Sequence, residues 1–583
     1  MNRSELPLLA GEFARVIAHL APGADETVRA AAALTADATA AGHVCLDLAG
    51  VAGRAALDGA LPVPPLDALL ATLRASPLVA SPGGYAPLVL DGNRLYLHRY
   101  WHYETTLAAA LLARCARSDR LEPERLARTL GRLFPAAGAG PDAQKIAAAV
   151  ACLRRLTVIS GGPGTGKTAT VARILAALVE LAGGTRLAVG LAAPTGKAAA
   201  RLEASLTAHP DTAALGLRAT TVHRLLGIAA GAPPRFDAQN PLPLDVLIVD
   251  EASMVDLAIA AKLVAALPAH ARLILLGDKD QLASVEAGAV LASIASGARG
   301  FSAAMRAELE RVTGAPVPAA AAAHDAPLSD TIVLLERSYR FGAASGIGRL
   351  AAAVRAGDAE TMLAVLEGTA DARLVAVDAE ALGDVVFAGY RDYFDAVRAN
   401  PEPAVCLAAL GRFRALAGVR GGPFGVDALN RAVERRLAAV DPAVAHRLWY
   451  AGRPVMVTRN DYALRLSNGD VGVVLPDAAM PGGVAVCFET PAGGIRRISP
   501  ARMPECETVY AMTVHKSQGS EFDAVLLVLP PEPSAVVTRE LLYTGATRAR
   551  SQIAVCASHA TLRAAVDARV VRDSGLAERL WGG

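Results

Sequence analysis

The sequence has few aromatic side chains, 4% of its 583 residues, and it contains no uninterrupted apolar run long enough to cross a membrane. Such a crossing takes about 20 consecutive apolar residues in a helix. Hydrophobic residues make up 53% of the chain, but they are mostly alanine, valine and leucine interrupted by charged residues or proline. The N-terminus also lacks the basic, apolar and small-residue order of a signal peptide. We therefore expect a cytoplasmic protein without membrane association.

Paired cysteines and a strong net charge are also absent. None of the seven cysteines lies at Cys-x-x-Cys spacing from another, so a zinc ribbon, an iron–sulfur cluster or a dithiol redox motif is not expected. We expect reduced and mostly buried thiols. The formal net charge is only +2, so any nucleic-acid site must be a local groove.

Lysine is scarce in a chain that otherwise favours arginine. Only six of the 58 lysine and arginine residues are lysines. Because an arginine guanidinium is planar and a lysine ammonium is compact, a retained lysine indicates a position that needs the compact charge. Five of the six lie within or beside the motifs described below, namely Lys145, Lys167, Lys197, Lys279 and Lys516.

The strongest motif is a glycine-rich turn, GGPGTGKT, between a short β-branched run and a helical pattern. Strand, turn and helix in this order are typical of a P-loop, whose backbone N–H groups and helix N-terminus bind phosphates. Lys167 would reach the β- and γ-phosphates of ATP, and the Thr168 hydroxyl would bind Mg²⁺. The predicted ATP-binding residues of this loop are Gly161, Gly162, Pro163, Gly164, Thr165, Gly166, Lys167 and Thr168.

Two later apolar runs end in polar residues that suit ATP hydrolysis. The run LDVLIV is followed by Asp250 and Glu251, and the run RLILLG is followed at a short distance by Gln281. Buried parallel strands present ligand-binding residues at their carboxyl ends. Asp250 would hold Mg²⁺, Glu251 would orient or deprotonate the attacking water, and the Gln281 amide would sense the γ-phosphate and that water.

Further segments, in the same order, resemble the motifs of superfamily 1 DNA helicases. They read APTGKAAARL, TTVHRLLG, LERSYR, TVHKSQGSEFDAVLLVL and YTGATRAR. With the P-loop they cover roughly residues 140–550, and the wording HKSQGSEF and YTGATRAR resembles the RecD family, the alpha subunits of bacterial exodeoxyribonuclease V (RecBCD), within superfamily 1B. This resemblance implies two RecA-like P-loop NTPase domains that use ATP and Mg²⁺.

The resemblance also implies roles for individual residues. Gln144 would read the adenine edge, since an amide can pair with both N6 and N7. Gly519 and Glu521 would lie near the nucleotide sugar, and Arg340 and Arg548 would act as arginine fingers from the second RecA-like domain. The backbone of single-stranded DNA suits hydroxyl and lysine contacts without sequence preference. The predicted nucleic-acid contacts are Thr195, Lys197, His223, Thr513, His515 and Lys516.

The predicted fold class is α/β, with a small helical N-terminal domain and an SH3-like β insertion beside the two RecA-like domains. Short strands with an Asn-Gly turn signal indicate the β insertion. The segment near 228–243 is either a strand-separating pin or an ordinary loop, and 296–330 shows no evident chemistry. The predicted ranges are 1–120 for partner docking, 121–335 for domain 1A, 336–430 with 505–583 for domain 2A, and 431–504 for the SH3-like subdomain 2B.

Two residue groups keep two interpretations. The aromatic cluster in RLYLHRYWHYE, at 94–104, builds a small core or faces a partner, and we favour the core. The basic residues of the β insertion line the DNA path or belong to a solvated strand face. These basic residues are Arg459, Arg465, Arg496 and Arg497.

The family resemblance implies an ATP-dependent 5′–3′ helicase and translocase subunit of exodeoxyribonuclease V, which processes double-strand break ends in recombinational repair. It would bind single-stranded and double-stranded DNA ends and form a heterotrimer with RecB-like and RecC-like subunits. The chain has no Glu-x-Lys triplet of the kind found in two-metal nucleases, so cleavage should belong to the RecB-like subunit. Two alternatives are a stand-alone 5′–3′ RecD-like helicase and a subunit that binds ATP only as a structural clamp. The structural clamp is disfavoured because the chain has a complete set of residues for ATP hydrolysis, namely Glu251, Gln281, Arg340 and Arg548.

Overall fold

The structure is a computed structural model of the chain, and its first helices and strands build an N-terminal region on one apolar core. The described residues are 8–56, 61–118, 121–135, 142–229, 231–298, 300–318, 327–342, 344–376, 378–399, 402–461, 463–490 and 493–582. The elements of the N-terminal region are α1 (Leu8–Leu20), α2 (Glu26–Ala40), β1 (Leu46–Asp47), α3 (Leu48–Val51), β2 (Ala55–Ala56), β3 (Leu61–Pro62), α4 (Leu66–Ala75), β4 (Val79–Ala80), β5 (Leu88–Asp91), β6 (Arg94–Leu97) and α5 (His98–Cys115).

This region is less purely helical than the sequence suggested. Four of its strands form a sheet in the order β1-β6-β5-β4. Each of these strands has two to four residues, too few for an alternating pattern to stand out from the alanine-rich helices around it. Tyr96 is fully buried, and Tyr100, Trp101 and Tyr103 pack against the core of the next domain. The core interpretation of the aromatic cluster is therefore favoured.

The next part of the chain contains a six-stranded sheet in the order β12-β7-β11-β10-β8-β9, in which every pair is parallel. Its central strands are apolar and buried, as strands with helices on both faces are. The elements are α6 (Pro123–Leu133), α7 (Ala143–Leu153), β7 (Leu156–Gly161), α8 (Lys167–Leu181), β8 (Val189–Ala193), α9 (Gly196–Ala208), β9 (Ala219–Thr221), α10 (Val222–Leu225), β10 (Val246–Val249), α11 (Leu257–Ala266), β11 (Arg272–Gly277), α12 (Val290–Ala295), α13 (Ala303–Thr313) and β12 (Ile332–Leu335).

A second parallel sheet follows, with five strands in the order β13-β22-β21-β14-β20. With the first sheet it confirms the predicted fold class, α/β with two RecA-like P-loop NTPase domains. Its elements are α14 (Gly346–Ala356), α15 (Ala359–Gly368), β13 (Ala372–Val375), α16 (Ala379–Gly389), α17 (Arg391–Arg398), α18 (Pro403–Arg412), β14 (Phe413–Ala417), α19 (Val426–Val440), α20 (Ala443–His446), β20 (Ala511–Thr513), β21 (Phe522–Val528), α21 (Arg539–Ala546), β22 (Ala549–Cys556), α22 (His559–Asp567) and α23 (Leu576–Trp581).

Between α20 and β20 the chain forms an antiparallel sheet in the order β18-β17-β16-β15-β19 around a small core of its own. Its strands are β15 (Pro454–Val457), β16 (Val471–Pro476), β17 (Val484–Glu489), β18 (Ile495–Ile498) and β19 (Cys506–Thr508). The Asn-Gly signal does not make a two-residue hairpin, since Gly469 lies inside the long connection from β15 to β16. The likeness of this sheet to an SH3 domain stays a prediction.

Two of the four basic residues in this insertion make local structural contacts. Arg497 forms an ion pair with Asp477 at 3.0 Å. Arg496 donates a hydrogen bond from Nη1 to the carbonyl of Leu464 at 2.7 Å. These contacts favour the interpretation that the Arg496 and Arg497 side chains belong to the strand surface. They do not bear on the role of Arg459.

The C-terminal segment leaves the second sheet and returns to the N-terminal region. There the fully buried carboxylate of Glu104 accepts hydrogen bonds from the Ser574 hydroxyl at 2.6 Å and the Gly575 amide at 2.9 Å. The Nε of Arg579 donates to the same carboxylate at 3.0 Å. A buried carboxylate with this many donors is satisfied, so this contact fixes the end of the chain against the N-terminal region.

Three further expectations concern loops, cysteines and membranes. The described residues of the predicted pin, 228–229 and 231–243, contain no helix or strand. Residues 299 and 319–326 of the 296–330 segment lie outside the described residues. Six of the seven cysteines are buried, as expected for structural thiols. Within the described ranges, no helix has both the length and the apolar character that crossing a bilayer requires.

Candidate nucleotide site between the two parallel sheets

The glycine-rich loop connects the end of β7 to the start of α8. Gly164 and Gly166 have φ values of 77° and 79°, a left-handed backbone that favours glycine. The Lys167 side chain folds back over the loop, where its Nζ donates to the carbonyls of Gly161 and Gly162. The ammonium therefore lies above the turn into which P-loops bind phosphate groups.

The acidic pair follows β10, the neighbour of β11 in the same sheet. Glu251 has a φ of 51°, and only Arg465 shares a positive φ among the described non-glycine residues. A glutamate in this conformation carries backbone strain, which is concentrated at functional sites. Its amide donates to Asp250 Oδ1 at 2.9 Å. Burial and the nearby Glu251 charge raise the pKa of Asp250 to about 6, although Lys167 opposes the shift.

One cleft brings together most of the residues predicted to bind or hydrolyse ATP. All six predicted catalytic residues line it, and Gly519 and Glu521 do as well. Gly161 and Gly162 instead line a separate cavity, together with Asp278 and Tyr543. The cleft is lined by Pro163, Gly164, Thr165, Gly166, Lys167, Thr168, Ala169, Ala198, Arg201, Leu202, Asp250, Glu251, Gln281, Arg340, Gly519, Glu521 and Arg548.

Gln144 lies beside the loop together with a residue that the sequence reasoning missed, Tyr339. The Gln144 Nε2 donates to the Thr165 carbonyl at 3.0 Å, and the Tyr339 amide donates to the Gly164 carbonyl at 2.8 Å. Both side chains flank Gly166, yet the Tyr339 ring is 61% exposed. The signal available in the sequence was an aromatic residue inside the LERSYR motif, in a chain with few aromatics.

Glu521 is held by three arginines from different parts of the chain. Its Oε1 accepts from Nη2 of both Arg340 and Arg201 at 2.8 Å, and its Oε2 accepts from Nε of Arg550 at 3.3 Å. Burial alone would raise the pKa of Glu521, but Arg201 and Arg340 hold it at about 2. Arg201 belongs to α9 of the first sheet and lines the cleft, and the sequence reasoning did not single it out.

The two predicted arginine fingers differ in origin. Arg548 lies in the second domain, between α21 and β22, and is 3% exposed, with Nε donating to the Thr544 carbonyl and Nη1 to the Ser520 carbonyl. Arg340 follows β12, a strand of the first sheet, and precedes α14, so it lies in the connection between the two sheets. Its Nη1 is buried without a hydrogen-bond partner among the described residues.

Gln281 is joined to the second domain through Asp278. The Gln281 Nε2 donates to Asp278 Oδ2 at 3.1 Å, and the Tyr543 hydroxyl on α21 donates to the same oxygen at 2.9 Å. The Asp278 and Tyr543 side chains are both buried. The carboxylate is therefore shared between a side chain that lines the cleft and one on a helix of the second domain.

The residues predicted to contact DNA follow strands of both sheets. Thr195 caps α9 by accepting from the Ala198 amide at 3.2 Å, and Lys197 and His223 are exposed. Thr513 is the last residue of β20, and His515 and Lys516 follow it. Lys516 forms an ion pair with Glu507 at 2.7 Å. Burial and the nearby Arg572 lower the pKa of His515, so this imidazole is neutral at neutral pH. The six residues lie at the carboxyl ends of strands β8, β9 and β20, as Thr195, Lys197, His223, Thr513, His515 and Lys516.

Two parallel sheets that meet at a cleft, with a P-loop on one side and a buried arginine on the other, define a P-loop NTPase with two RecA-like domains. In such proteins the nucleotide joins two bodies that can move against each other.

Comparisons with known proteins give the family. The family description "RecBCD enzyme subunit RecD, N-terminal domain" matches residues 4–96, "AAA domain" matches 144–287, and "UvrD-like helicase C-terminal domain" matches 508–556. The RecBCD enzyme subunit RecD of Mycolicibacterium smegmatis is 42% identical over 96% of this chain and 95% of its own length. That of Haemophilus influenzae is 35% identical over 85% and 81%. The chain belongs to the RecD family of RecBCD enzyme subunits.

A related helicase matches less of its own length. The ATP-dependent RecD2 DNA helicase of Deinococcus radiodurans is 33% identical over 73% of this chain and 50% of its own sequence. The match to the Mycolicibacterium smegmatis RecD subunit, by contrast, spans nearly the whole of both chains, and the RecD N-terminal domain family matches residues 4–96.

Proposed function

We propose that this chain is the ATP-driven 5′–3′ DNA helicase and translocase subunit of a RecBCD-type exodeoxyribonuclease V. The observation that carries the proposal is the shared cleft, in which Lys167, Asp250 and Glu251 of the first domain face Arg548 of the second. Because the nucleotide contacts both domains, its hydrolysis would open and close the cleft. Repeated closure moves a bound strand along the motor.

The residues of the cleft fit an ATP–Mg²⁺ complex. The loop amides and Lys167 would bind the β- and γ-phosphates, and the Thr168 hydroxyl with the Asp250 carboxylate would hold Mg²⁺. Bound Mg²⁺ neutralises charge on the phosphate oxygens. Glu251 would orient or deprotonate the attacking water, and Arg340 and Arg548 would stabilise the charge that develops on the γ-phosphate.

The base and the remaining part of the nucleotide have their own contacts. Gln144 would pair with the adenine edge while the exposed Tyr339 ring stacks on the base, since both flank Gly166. Gly519 and Glu521 would lie near the ribose. Arg201 adds a cation to the cleft, and an anionic triphosphate would compete with Glu521 for it.

Single-stranded DNA would cross the carboxyl ends of β8, β9 and β20. Contacts there would go to the phosphate backbone and carry no sequence preference. His515, neutral at neutral pH, would bond or stack and not pair with a phosphate. The proposed contacts are Thr195, Lys197, His223, Thr513, His515 and Lys516.

The chain would act in the cytoplasm with RecB-like and RecC-like subunits on double-stranded and single-stranded DNA ends, and the RecB-like subunit would cut the strand. The name of the RecD relatives from Mycolicibacterium smegmatis and Haemophilus influenzae supports this assembly. Residues 1–120 would dock the motor, 121–335 and 336–430 with 505–583 would form domains 1A and 2A, and 431–504 would form subdomain 2B. A stand-alone 5′–3′ helicase is the second candidate, favoured by the likeness to the RecD2 helicase.

The motor function is tested by ATPase assays with and without single-stranded DNA. Lys167→Gln should abolish the DNA-stimulated activity, because its ammonium covers the phosphate-binding turn. Lys262→Gln is a matched control, since that lysine lies over the Tyr103 ring, 5.7 Å from its centre, outside the cleft. Equal DNA-stimulated rates for wild type and Lys167→Gln would exclude an ATP-driven motor.

A further inference from the structure

The amide of Gln281 is oriented by a single buried carboxylate. Gln281 lines the nucleotide cleft, and its Nε2 donates to Asp278 Oδ2 at 3.1 Å. Asp278 is 3% exposed, and its other oxygen accepts from the Asp280 amide at 3.1 Å. An ionised carboxylate only accepts hydrogen bonds, whereas an amide has one donating and one accepting end. Asp278 therefore binds the donating end and leaves the Gln281 oxygen as an acceptor.

The same carboxylate oxygen receives a second donor from the other domain. The Tyr543 hydroxyl donates to Asp278 Oδ2 at 2.9 Å, and the Tyr543 side chain is 4% exposed. Burial and the Asp278 charge raise the pKa of Tyr543, so the hydroxyl stays protonated and remains a donor throughout the range of an enzyme assay. The hydroxyl also lies against the P-loop, because a Cβ on Gly162 would come within 2.8 Å of it.

The residue after Gln281 is also fixed by the second domain. The Leu282 amide donates to the Thr544 Oγ1 at 2.9 Å, and its carbonyl accepts from the Gln518 Nε2 at 3.0 Å. Gln518 is two residues beyond Lys516, one of the residues proposed to contact DNA. Both backbone groups of Leu282 are thus held by side chains of the segments that follow β20 and that form α21.

We propose that Asp278 and Tyr543 are positioning residues for ATP hydrolysis, which orient the Gln281 amide only when the two RecA-like domains are in contact. Opening of the domains removes the Tyr543 donor and the two contacts to Leu282. The Asp278 carboxylate then loses a hydrogen bond, and the loop that carries Gln281 loses its contacts to the second domain. Closure restores them, and Gln281 presents its oxygen to a proton of the attacking water. DNA bound near Lys516 affects the loop that carries Gln281 through the hydrogen bond from Gln518 to the Leu282 carbonyl. The inference rests on the proposed motor function.

A purely structural role would give a different outcome from a positioning role. If the buried hydrogen bond only stabilises the closed form, its removal should lower kcat by the same factor whether or not Gln281 is present. A bond that acts through Gln281 loses its effect once that amide is gone. The two roles are therefore separated by a double-mutant cycle, since contacting residues that act together are not additive.

The test uses the full chain and the variants Tyr543→Phe, Gln281→Ala and their combination, assayed for DNA-stimulated ATPase. Tyr543→Phe removes one oxygen and should lower kcat about tenfold, the size expected for a hydrogen bond to a charged group, with KM for ATP nearly unchanged. In the Gln281→Ala background it should cause no further loss. Tyr393→Phe is the matched control, since that hydroxyl is equally buried and donates to the Gly452 carbonyl at 2.9 Å, away from the cleft.

Asp278→Asn provides a second route, because an asparagine keeps the shape of the side chain but adds a donating end that competes with the Gln281 amide. It should also lower kcat and should also be silent in the Gln281→Ala background. Equal kcat for Tyr543→Phe and Tyr393→Phe, or equal losses in both backgrounds, would overturn the inference. A wild-type chain whose ATPase does not depend on Lys167 would instead overturn the proposed function, so the two failures are distinguishable.

Discussion

Replacement of Glu521 by glutamine should destabilise the contact between the two RecA-like domains. Arg201 of the first sheet and Arg340 of the connection hold the pKa of Glu521 at about 2, against 4.5 for the free side chain, and its side chain is only 8% exposed. That difference corresponds to about 3 kcal/mol of preference for the charged form. Glu521→Gln keeps the size and one acceptor oxygen but removes the charge, so we expect a loss of this order in the free energy of unfolding at pH 7.

The pH dependence gives the sign of the effect. Because the folded pKa lies below the unfolded value, the stabilisation is complete above about pH 4.5 and is lost as the pH falls towards 2. Urea unfolding at pH 7 and pH 3 should therefore show a large difference between wild type and Glu521→Gln at pH 7 and a smaller one at pH 3. Glu360→Gln is a control, since Glu360 pairs with Arg563 at the surface with 76% of its side chain exposed. Equal unfolding midpoints for Glu521→Gln and Glu360→Gln at pH 7 would mean that the arginine contacts of Glu521 do not stabilise the folded chain.

Other predictions concern the nucleotide and the DNA. Arg201→Ala should raise KM for ATP, whereas Arg550→Ala, which removes another partner of Glu521 from outside the cleft, should leave KM unchanged in ATPase titrations. Tyr339→Ala should weaken binding of a fluorescent ATP analogue by about tenfold, the low end of base stacking, and Tyr339→Phe should bind normally. Lys516→Ala should reduce the salt dependence of single-stranded DNA binding by about one phosphate contact, a slope change of about 0.7, while His515→Ala should leave the slope unchanged because the imidazole is neutral.

Each of these predictions has an outcome that contradicts it. Equal KM values for Arg201→Ala and Arg550→Ala would mean that the cleft-lining arginine does not contact the nucleotide. Equal weakening by Tyr339→Phe and Tyr339→Ala would indicate that the hydroxyl, and not the ring, is the binding group. A salt slope that falls for His515→Ala as much as for Lys516→Ala would show that the histidine is charged when DNA binds.

The motifs that were predictable from the sequence are local. Strand, glycine turn and lysine follow one another at the P-loop, so a short stretch fixes both its conformation and its chemistry. The acidic pair after β10 and Gln281 after β11 are also set by their own strands, because neighbouring parallel strands end at one edge of a sheet. Short contiguous motifs were therefore enough to predict most of the residues that line the cleft.

The residues that were missed depend on contacts between distant segments. Arg201 was missed and is 320 positions from its partner Glu521, which was predicted, and the missed residues Asp278 and Tyr543 are 265 positions apart. No local sequence pattern links such pairs. The arginines around Glu521 and the contacts of Asp278 with Gln281 and Tyr543 are therefore visible only once the two domains are packed together. The motif around Arg340 spans both domains, because β12 just before it pairs with β7 of the first sheet and Phe341 just after it packs on the core of the second.

We expect ATP hydrolysis in this cleft to drive movement along DNA in one direction. The most direct test is unwinding by the purified chain, alone and with its RecB-like and RecC-like partners, of duplexes that carry a single-stranded tail at either the 5′ or the 3′ end. We predict ATP-dependent unwinding from the 5′ tail that is lost in Lys167→Gln. Unwinding from the 3′ tail only, or unwinding that survives in Lys167→Gln within a complex whose other motors are inactivated, would contradict the account.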